Sequence, residues 1–378
     1  MIPTEAQRQI RDTARAFARR ELAPHAAARE NERKIPRSVL TAMGELGLMG
    51  MTVPVEYDGA GADNVSYALA LMEISAGDGA FAIVMSGHNS VGCMPVLGYG
   101  TPAQREKFLR PMARGEMLSC FCLTEPQSGS DAAALQTRAV RHGDGWRLNG
   151  QKQFITSGSI ADVALVFART DPDAGRRGIS AFLVPTRTKG YRVGRVEKKM
   201  GQNASDTCEL FFEDLHVPGD ALLGKEGEGL RIALGNLVGG RIGIGAQSVG
   251  MAREALERAV AYAKERVAFG TPIINHQAVA FRLADMAASL KAAEMLVLHA
   301  AALADAGEPC LTEASMAKLV ASETAERVCS DAIQTFGGNG YMEEYEVERI
   351  FRAVRGTKIY EGANDIQRLV ISRALIKS

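Results

Sequence analysis

The amino-acid sequence predicts an α+β protein that is mainly α, with helices at both ends and strands between them. Three observations carry this reading. Residues 1 to about 120 show helical apolar spacing. From Cys120 to Pro218 the chain breaks into short apolar or alternating runs, each bounded by Gly, Pro or Asp. From Gly229 long Ala-rich stretches return. Helices, then strands, then helices is not the alternation that builds a parallel nucleotide-binding sheet. No GxGxxG follows a strand and no GxxxxGK[ST] occurs, so a dinucleotide, if bound, is held in another way.

In the first zone Leu40, Met43, Leu46 and Leu48 have helical spacing, with Ser38 as the expected cap. Tyr67 to Met85 is apolar on more than one face, which predicts a helix buried on several sides. In the second zone Arg138 to Leu148 predicts a hairpin, with Asp144-Gly145 supplying positive φ at its turn. Val163 to Phe167, Ile179 to Val184 and Cys208 to Phe212 predict strands. In the third zone helices are predicted over Arg241 to Arg266 and Asn275 to Ala306. Another runs from a Thr312 cap to a stop at Gly337-Gly338, and a last one from about Ile366 to the end. Long helices with short connections form antiparallel bundles. The expected units are residues 1–120, 121–226 and 227–378.

The 378 residues suffice for two or three domains, at ~100–200 residues each. Lys plus Arg and Asp plus Glu both number 44, which argues against a general polyanion binder, so no nucleic-acid partner is expected. The six cysteines form no CxxC pair and have no His at ligand spacing. They read as reduced thiols of a cytosolic protein, and no metal is expected. Glu5 to Glu21 is charged and lacks the apolar core of a signal peptide. No run of ~18 uninterrupted apolar residues occurs, so the expectation is a cytoplasmic protein without a membrane span.

Five strings then stand in a familiar order: Phe-Cys-Leu-Thr-Glu-Pro-Gln-Ser-Gly-Ser-Asp (121–131), Gln-Phe-Ile-Thr-Ser-Gly (153–158), Arg-Val-Ala-Phe-Gly (266–270), Gln-Thr-Phe-Gly-Gly-Asn-Gly (334–340) and Ile-Tyr-Glu-Gly-Ala-Asn-Asp-Ile-Gln-Arg (359–368). Together they resemble the acyl-CoA dehydrogenases, over nearly the whole chain. The resemblance implies an N-terminal helical domain, a middle β-domain of barrel or sandwich type and a C-terminal four-helix bundle. It also implies an FAD-dependent dehydrogenation of an acyl-CoA thioester, a homotetramer built as a dimer of dimers, and an electron-transfer flavoprotein as partner.

The resemblance also implies roles for individual residues. Glu361 is the base that removes the α-proton, and Gly362 leaves the backbone beside the substrate unencumbered. Thr124 faces the flavin pyrimidine edge, Thr156 faces N5, Leu123 contributes backbone atoms, and Phe121 and Phe154 supply aromatic walls. Gly129 and Ser130 meet the pyrophosphate, with Ser130 also near the substrate. Arg266 and Phe269 resemble the pair that grips the ADP part of FAD on a neighbouring subunit. Gln334, Gly337 and Gly338 resemble a second contact across that interface, and Gln277 is a further cofactor contact. Arg241 lies near the acyl-CoA chain and Tyr360 lines the pocket. Taken singly these residues have plainer readings. A strand-end threonine is a turn hydroxyl, Arg266 or Arg241 a solvated helix charge, and Glu361 an exposed acid beside an arginine.

Some relatives carry the base one residue before the arginine at 241, where this chain has Gly240. That supports Glu361 as the sole base. Three positions depart from the family pattern: Val238 stands for a usual Asp, Ala363 for Thr and Ala353 for Asp. They bear on contacts at the CoA end and on substrate identity, so a carrier-protein thioester remains an alternative. Gly-Arg-Ile-Gly-Ile (240–244) and Arg-Leu-Ala-Asp-Met-Ala (282–287) resemble the short-chain branch. The rivals are a flavin oxidase on the same scaffold and a non-catalytic helical binding or assembly protein. Nitroalkane oxidases use an Asp as base, whereas position 361 is Glu.

Overall fold

The computed structural model describes residues 2–377; Met1 and Ser378, the outermost residues of the first and third expected units, lie outside the described residues. Helix α1 (Glu5–Phe17) opens on a capping box, in which the Thr4 hydroxyl accepts from the Gln7 amide and the Thr4 amide donates to Gln7 Oε1. The expected single helix over Tyr67 to Met85 is two helices, α2 (Asn64–Gly77) and α3 (Gly79–Gly87). Asp78 divides them. It is extended at φ −160° and its carboxylate accepts from the Ala80 amide at 2.9 Å, so the break supplies the second helix with its cap. Both helices are nonetheless buried on nearly every face. Ser38 is not a cap: the helix Arg37–Glu45 starts behind Pro36, leaving Ser38 inside its first turn.

The middle of the chain forms one sheet from β1 (Ser119–Cys122), β2 (Arg138–His142), β3 (Gly145–Thr156), β4 (Val163–Arg169), β5 (Ile179–Pro185), β6 (Tyr191–Val196), β7 (Thr207–Val217) and β8 (Leu222–Leu223). The order is β6-β7-β3-β2-β4-β5-β8, with β1 parallel to β4. Alternation along β4 feeds two cores. Val163, Leu165 and Phe167 pack with Phe108, Leu109 and Met112 of the N-terminal helices. Ala164, Val166 and Ala168 pack with Trp146, Phe182 and Phe212 between the strands. The β2–β3 turn is Gly143-Asp144, because His142 pairs with Gly145. Positive φ falls on Gly143 (60°) rather than on Asp144-Gly145. Gly145 stays in the ladder, where the Val217 carbonyl occupies the space of a side chain. All six cysteines are buried and free.

The third zone holds α4 (Leu237–Glu265), α5 (Gln277–Asp305), α6 (Leu311–Phe336), α7 (Val347–Arg355) and α8 (Asn364–Lys377). Thr312 lies within α6, whose cap position is Cys310 without a side-chain hydrogen bond. The helix ends as expected at Gly337, which has φ 61°. Alanines 246, 252, 255, 259 and 263 of α4 and 314, 317, 321 and 325 of α6 are fully or almost fully buried. Such small side chains let helices approach closely and pack to interior density. Two helical stretches, Gly79–Tyr99 and Gln277–Asp305, are long and apolar enough to cross a membrane by length and composition. The first is a core element, 83% buried in its most apolar window; the second is 39% buried.

Glu73 on α2 fastens the N-terminal helices to the bundle. It is 3% exposed and takes paired bonds from Arg15 of α1 and Arg253 of α4, at 2.7–3.0 Å. Removing one member of a buried ion network strands the others without partners. Because both arginines keep some access to water, Glu73→Ala is expected to cost ~2–3 kcal/mol, below the full buried-pair loss. Chemical denaturation read by fluorescence checks this; an unchanged midpoint refutes it.

Candidate active site

Glu361 sits in the short connection between α7 and α8, where the chain must reverse. It has φ 53° and Gly362 has φ 88°. A left-handed glutamate is unfavourable, and strain of this kind collects where geometry serves function. Within the chain no donor hydrogen-bonds either carboxylate oxygen among the described residues. Burial therefore dominates and raises the Glu361 pKa, against the opposing pull of the Arg241 and Lys318 charges. Gly240 of α4 lies directly against it: a Cβ there would stand 2.5 Å from Glu361 Oε2. The absence of a side chain at 240 thus leaves the space this carboxylate occupies.

Arg241 is 4% exposed. Its Nη1 donates to Ser315 Oγ at 3.1 Å and its Nε has no partner. Burial lowers its pKa, and the Glu361 charge opposes that. The surface-charge reading of Arg241 is excluded. Tyr360 accepts from Gln202 Nε2 at 2.9 Å and donates to Gln247 Oε1 at 3.2 Å. Gln247 in turn donates to the Gly79 carbonyl at 2.9 Å. The ring is held between the β-domain and the bundle, beside the acid.

A second constellation lies where β1 and β3 end. The Gln153 amide donates to the Thr124 carbonyl at 2.9 Å, which sets Leu123-Thr124 beside Phe154 and Thr156. Beneath them a buried ion pair ties the same two strands. Lys152 Nζ donates to Glu125 Oε1 at 2.7 Å and to the Leu123 carbonyl at 3.1 Å. Glu125 also accepts from the Gln136 and Thr137 amides and from Gln127. Burial pushes Glu125 up, yet Lys152 and the amides outweigh it and hold the carboxyl below its usual range. Above this base the Thr124 and Thr156 hydroxyls have no hydrogen-bond partner among the described residues. Phe154 has φ 57° and is 59% exposed. Phe121 is half-buried against Phe167, with ring centroids 4.9 Å apart. Free hydroxyls beside an uncovered aromatic ring fit a planar group with an apolar face and a hydrogen-bonding edge, as in a flavin. Gly129 and Ser130 lie exposed in the following loop, with open space beside Gly129.

The remaining expected contacts form a third group at one end of the bundle. Arg266 ends α4, and Phe269 caps the hairpin after it, 97% exposed with φ 54°. Tyr262 stacks on Phe336 with ring centroids 4.2 Å apart and accepts from Asn339 at 2.9 Å, bringing the Gln334–Gly338 segment to Arg266's end of the helix. Gln277 is exposed at the start of α5. The side chains of Arg266, Gln277 and Gln334 make no hydrogen bond or ion pair among the described residues. Nor does any bond join this group to Thr124, Thr156 or Glu361.

Several residues around these groups escaped the sequence reading: Lys318, Asn364 and Gln367 beside the acid, Gln202 and Gln247 on Tyr360, and the Lys152–Glu125 pair. Lys318 alone left a signal, a lysine on the same helix stripe as Ala314, Ala317, Ala321 and Ala325.

Comparison with known proteins identifies the family. Three family profiles match in order: the acyl-CoA dehydrogenase N-terminal domain over residues 4–116, the middle domain over 120–215 and the C-terminal domain over 227–376. An acyl-CoA dehydrogenase of Bacillus subtilis is 50% identical, over 100% of this chain and 99% of the relative. The structure of butyryl-CoA dehydrogenase from Megasphaera elsdenii superposes with a TM-score of 0.97 at 42% identity, covering 100% of this chain and 99% of that one. A structure concerned with the electron transferring flavoprotein of Acidaminococcus fermentans and flavin-based electron bifurcation contains a chain 46% identical. It superposes with a TM-score of 0.98, covering 100% of both chains. With its profiles matched along almost the whole length and its fold shared, the chain belongs to the acyl-CoA dehydrogenase family.

Proposed function

We propose that the protein is an FAD-dependent dehydrogenase of short acyl-CoA thioesters, with Glu361 as its base. The observation that carries this is a carboxylate without hydrogen-bond donors, of raised pKa, set in a left-handed turn against Gly240. Thr124, Thr156, Leu123, Phe121 and Phe154 would hold the flavin ring, and Gly129 and Ser130 the pyrophosphate. When bound, FAD supplies the acceptor for the hydride that leaves the substrate's β-carbon.

Glu361 takes the α-proton onto a carboxylate oxygen. Desolvation makes it a stronger base than an exposed glutamate, while Arg241 and Lys318 keep a useful fraction ionised. Its turn fixes the direction of the oxygens, and Gly240 leaves them room. The backbone around Glu361 offers N–H groups to the thioester oxygen as negative charge develops there. Tyr360, Gly362, Ser130 and Arg241 border the acyl-CoA. The product is the trans-2-enoyl-CoA, and the electrons pass to an electron-transfer flavoprotein. Support for that partner is the likeness to the chain in the Acidaminococcus structure. The division into 1–120, 121–226 and 227–378 belongs to the same proposal.

Glu361→Gln keeps the shape of the side chain and removes its basicity. Loss of a general base costs ~10²–10⁴-fold, so anaerobic stopped-flow flavin reduction at saturating substrate should fall by at least that range, with FAD content unchanged. Reduction within threefold of wild type would remove Glu361 from the mechanism.

The preference for short chains rests on the butyryl-CoA dehydrogenase likeness and the 240–244 and 282–287 strings. Flavin bleaching across a panel of straight acyl-CoAs should give its highest kcat/KM with short chains. Each added methylene in an apolar pocket changes binding by ~1–3 kcal/mol. A clear optimum at about twelve carbons or more, far beyond one such step, overturns the assignment.

Arg266, Phe269, Gln277, Gln334, Gly337 and Gly338 are exposed and make no bond to the strand-end residues of their own chain, which supports the role their resemblance to the family implies, contact with the FAD of a neighbouring subunit. Phe281 and Tyr341, 61% and 81% exposed, and the partly buried α5 would be covered in the same assembly, a soluble cytoplasmic homotetramer rather than a membrane protein. Light scattering on protein from the soluble fraction should give four chains. A stable monomer with full FAD occupancy contradicts this.

A further inference from the structure

Lys318 neither takes the proton nor borders the flavin platform, yet its placement is costly. It lies in the first third of α6 and is 0% exposed, flanked by buried alanines. No carboxylate stands within ion-pairing distance of it among the described residues. A buried ammonium without a direct ion pair is expensive, and an apolar side chain of similar length would pack on this stripe without that penalty. What the amine gains is two acceptors, and both belong to the segment just after the base. Nζ donates to the Gly362 carbonyl at 2.9 Å and to Asn364 Oδ1 at 2.9 Å.

The surroundings make this a clamp. Gln367 of α8 donates to the same Gly362 carbonyl at 2.8 Å. Asn364 is locked to α6 a second time, through Ser322 Oγ at 3.0 Å. The Gly362–Ala363 peptide is thus gripped from α6 and from α8, which holds the left-handed pair Glu361-Gly362 from its C-terminal side. Gly240 closes the other side.

We infer that Lys318 is a positioning residue for the base: by tying the Gly362 carbonyl and Asn364 to α6, it aims the Glu361 carboxylate at the substrate. The inference rests on Glu361 being that base. Lys318 also acts on the acid's charge. Three charged groups face it: Glu361 from the turn, Arg241 from α4 and Lys358 from the segment after α7. Burial lowers the Lys318 pKa, Glu361 opposes this, Arg241 and Lys358 add to it, and the result is about 7. When protonated, Lys318 favours the ionised form of Glu361. Loss of that cation therefore raises the pKa of the base, and the acid limb of the rate profile moves to higher pH.

The test uses the purified FAD-loaded protein, butyryl-CoA as probe, and Lys318→Met and Lys318→Gln. In Lys318→Met the rate of anaerobic flavin reduction at saturating substrate should fall ~10–100-fold, the scale set by an ångström's misplacement of a reacting group. KM should stay within about twofold, because the residue lies behind the base and acts on its aim rather than on uniform binding. The acid limb should rise by about one unit, the low end of what a lost opposite charge produces. Lys318→Gln keeps an amide donor for Gly362 and lacks the charge. It should retain more of the rate than Lys318→Met and show the same displaced limb, and it decides the matter if the Met variant does not fold. A folded, FAD-replete variant with the wild-type rate and an unmoved acid limb overturns the inference, since mere loss of packing lowers thermal stability without shifting a titration. Glu361→Gln run in parallel separates the two claims. If it still reduces flavin, the base assignment fails; if it is inactive while the Lys318 variants behave as wild type, only the role of Lys318 fails.

Discussion

The structure around Glu361 answers one constraint: a carboxylate must be stripped of hydrogen bonds to be a strong base, yet held still without them. Donors on its oxygens would stabilise the anion and weaken it as a base. The chain restrains the backbone instead. Glu361 and Gly362 take left-handed conformations, and the restraining bonds from Lys318 and Gln367 fall on the peptide beyond the side chain. This requires α4, α6 and α8 to converge on a few residues. Convergence is allowed by the alanine stripes on α4 and α6, and the glycine at 240 leaves the carboxylate its place, which a Cβ would make it give up. Bundle composition and site chemistry are one requirement seen at two scales.

The strand-end platform is held by the opposite device. Lys152 and Glu125 are both buried and paired, and the pair lies beneath the free hydroxyls rather than among them. Breaking such a pair from one side leaves an uncompensated charge, so the two strand ends cannot separate without a large penalty. The pair also carries four further bonds to backbone and to Gln127, which makes it a fixed floor instead of a mobile contact. Rigidity below leaves the exposed face of Phe154, Thr124 and Thr156 free of internal partners.

The layout of helices and strands was legible in the sequence because it depends on period. Val163 to Phe167 and the Ala-rich helices declared themselves by spacing alone. The errors lie where a single residue decides. Asp78 splits an apolar run that looks continuous, because its carboxylate caps the second of the two helices. Gly143 rather than Asp144-Gly145 carries the turn, because the approach of Val217 to Gly145 is set by a strand distant in sequence. Ser38 and Thr312 have the composition of caps but fall inside their helices. The acid, the threonines and the aromatic walls were readable only as joint motifs. Lys318, Gln202 and Gln247 were not read at all, since each bonds to residues distant in sequence.

Phe154 and Glu361 show why such sites resist local rules. Each is a bulky residue at positive φ, a state that costs ~1–3 kcal/mol. Propensity therefore argues against both conformations, and the strain must be supplied by tertiary packing. Phe154 follows the buried Lys152 by two residues, and Glu361 precedes the clamped Gly362 by one. In both places a buried lysine donates to a backbone carbonyl of the neighbouring segment, Leu123 in one case and Gly362 in the other. Each amine is desolvated, which lowers its pKa. The chain thus uses one device twice: a lysine drawn into the interior grips a carbonyl, and the residue beside that grip is left in a conformation that only the assembled fold sustains.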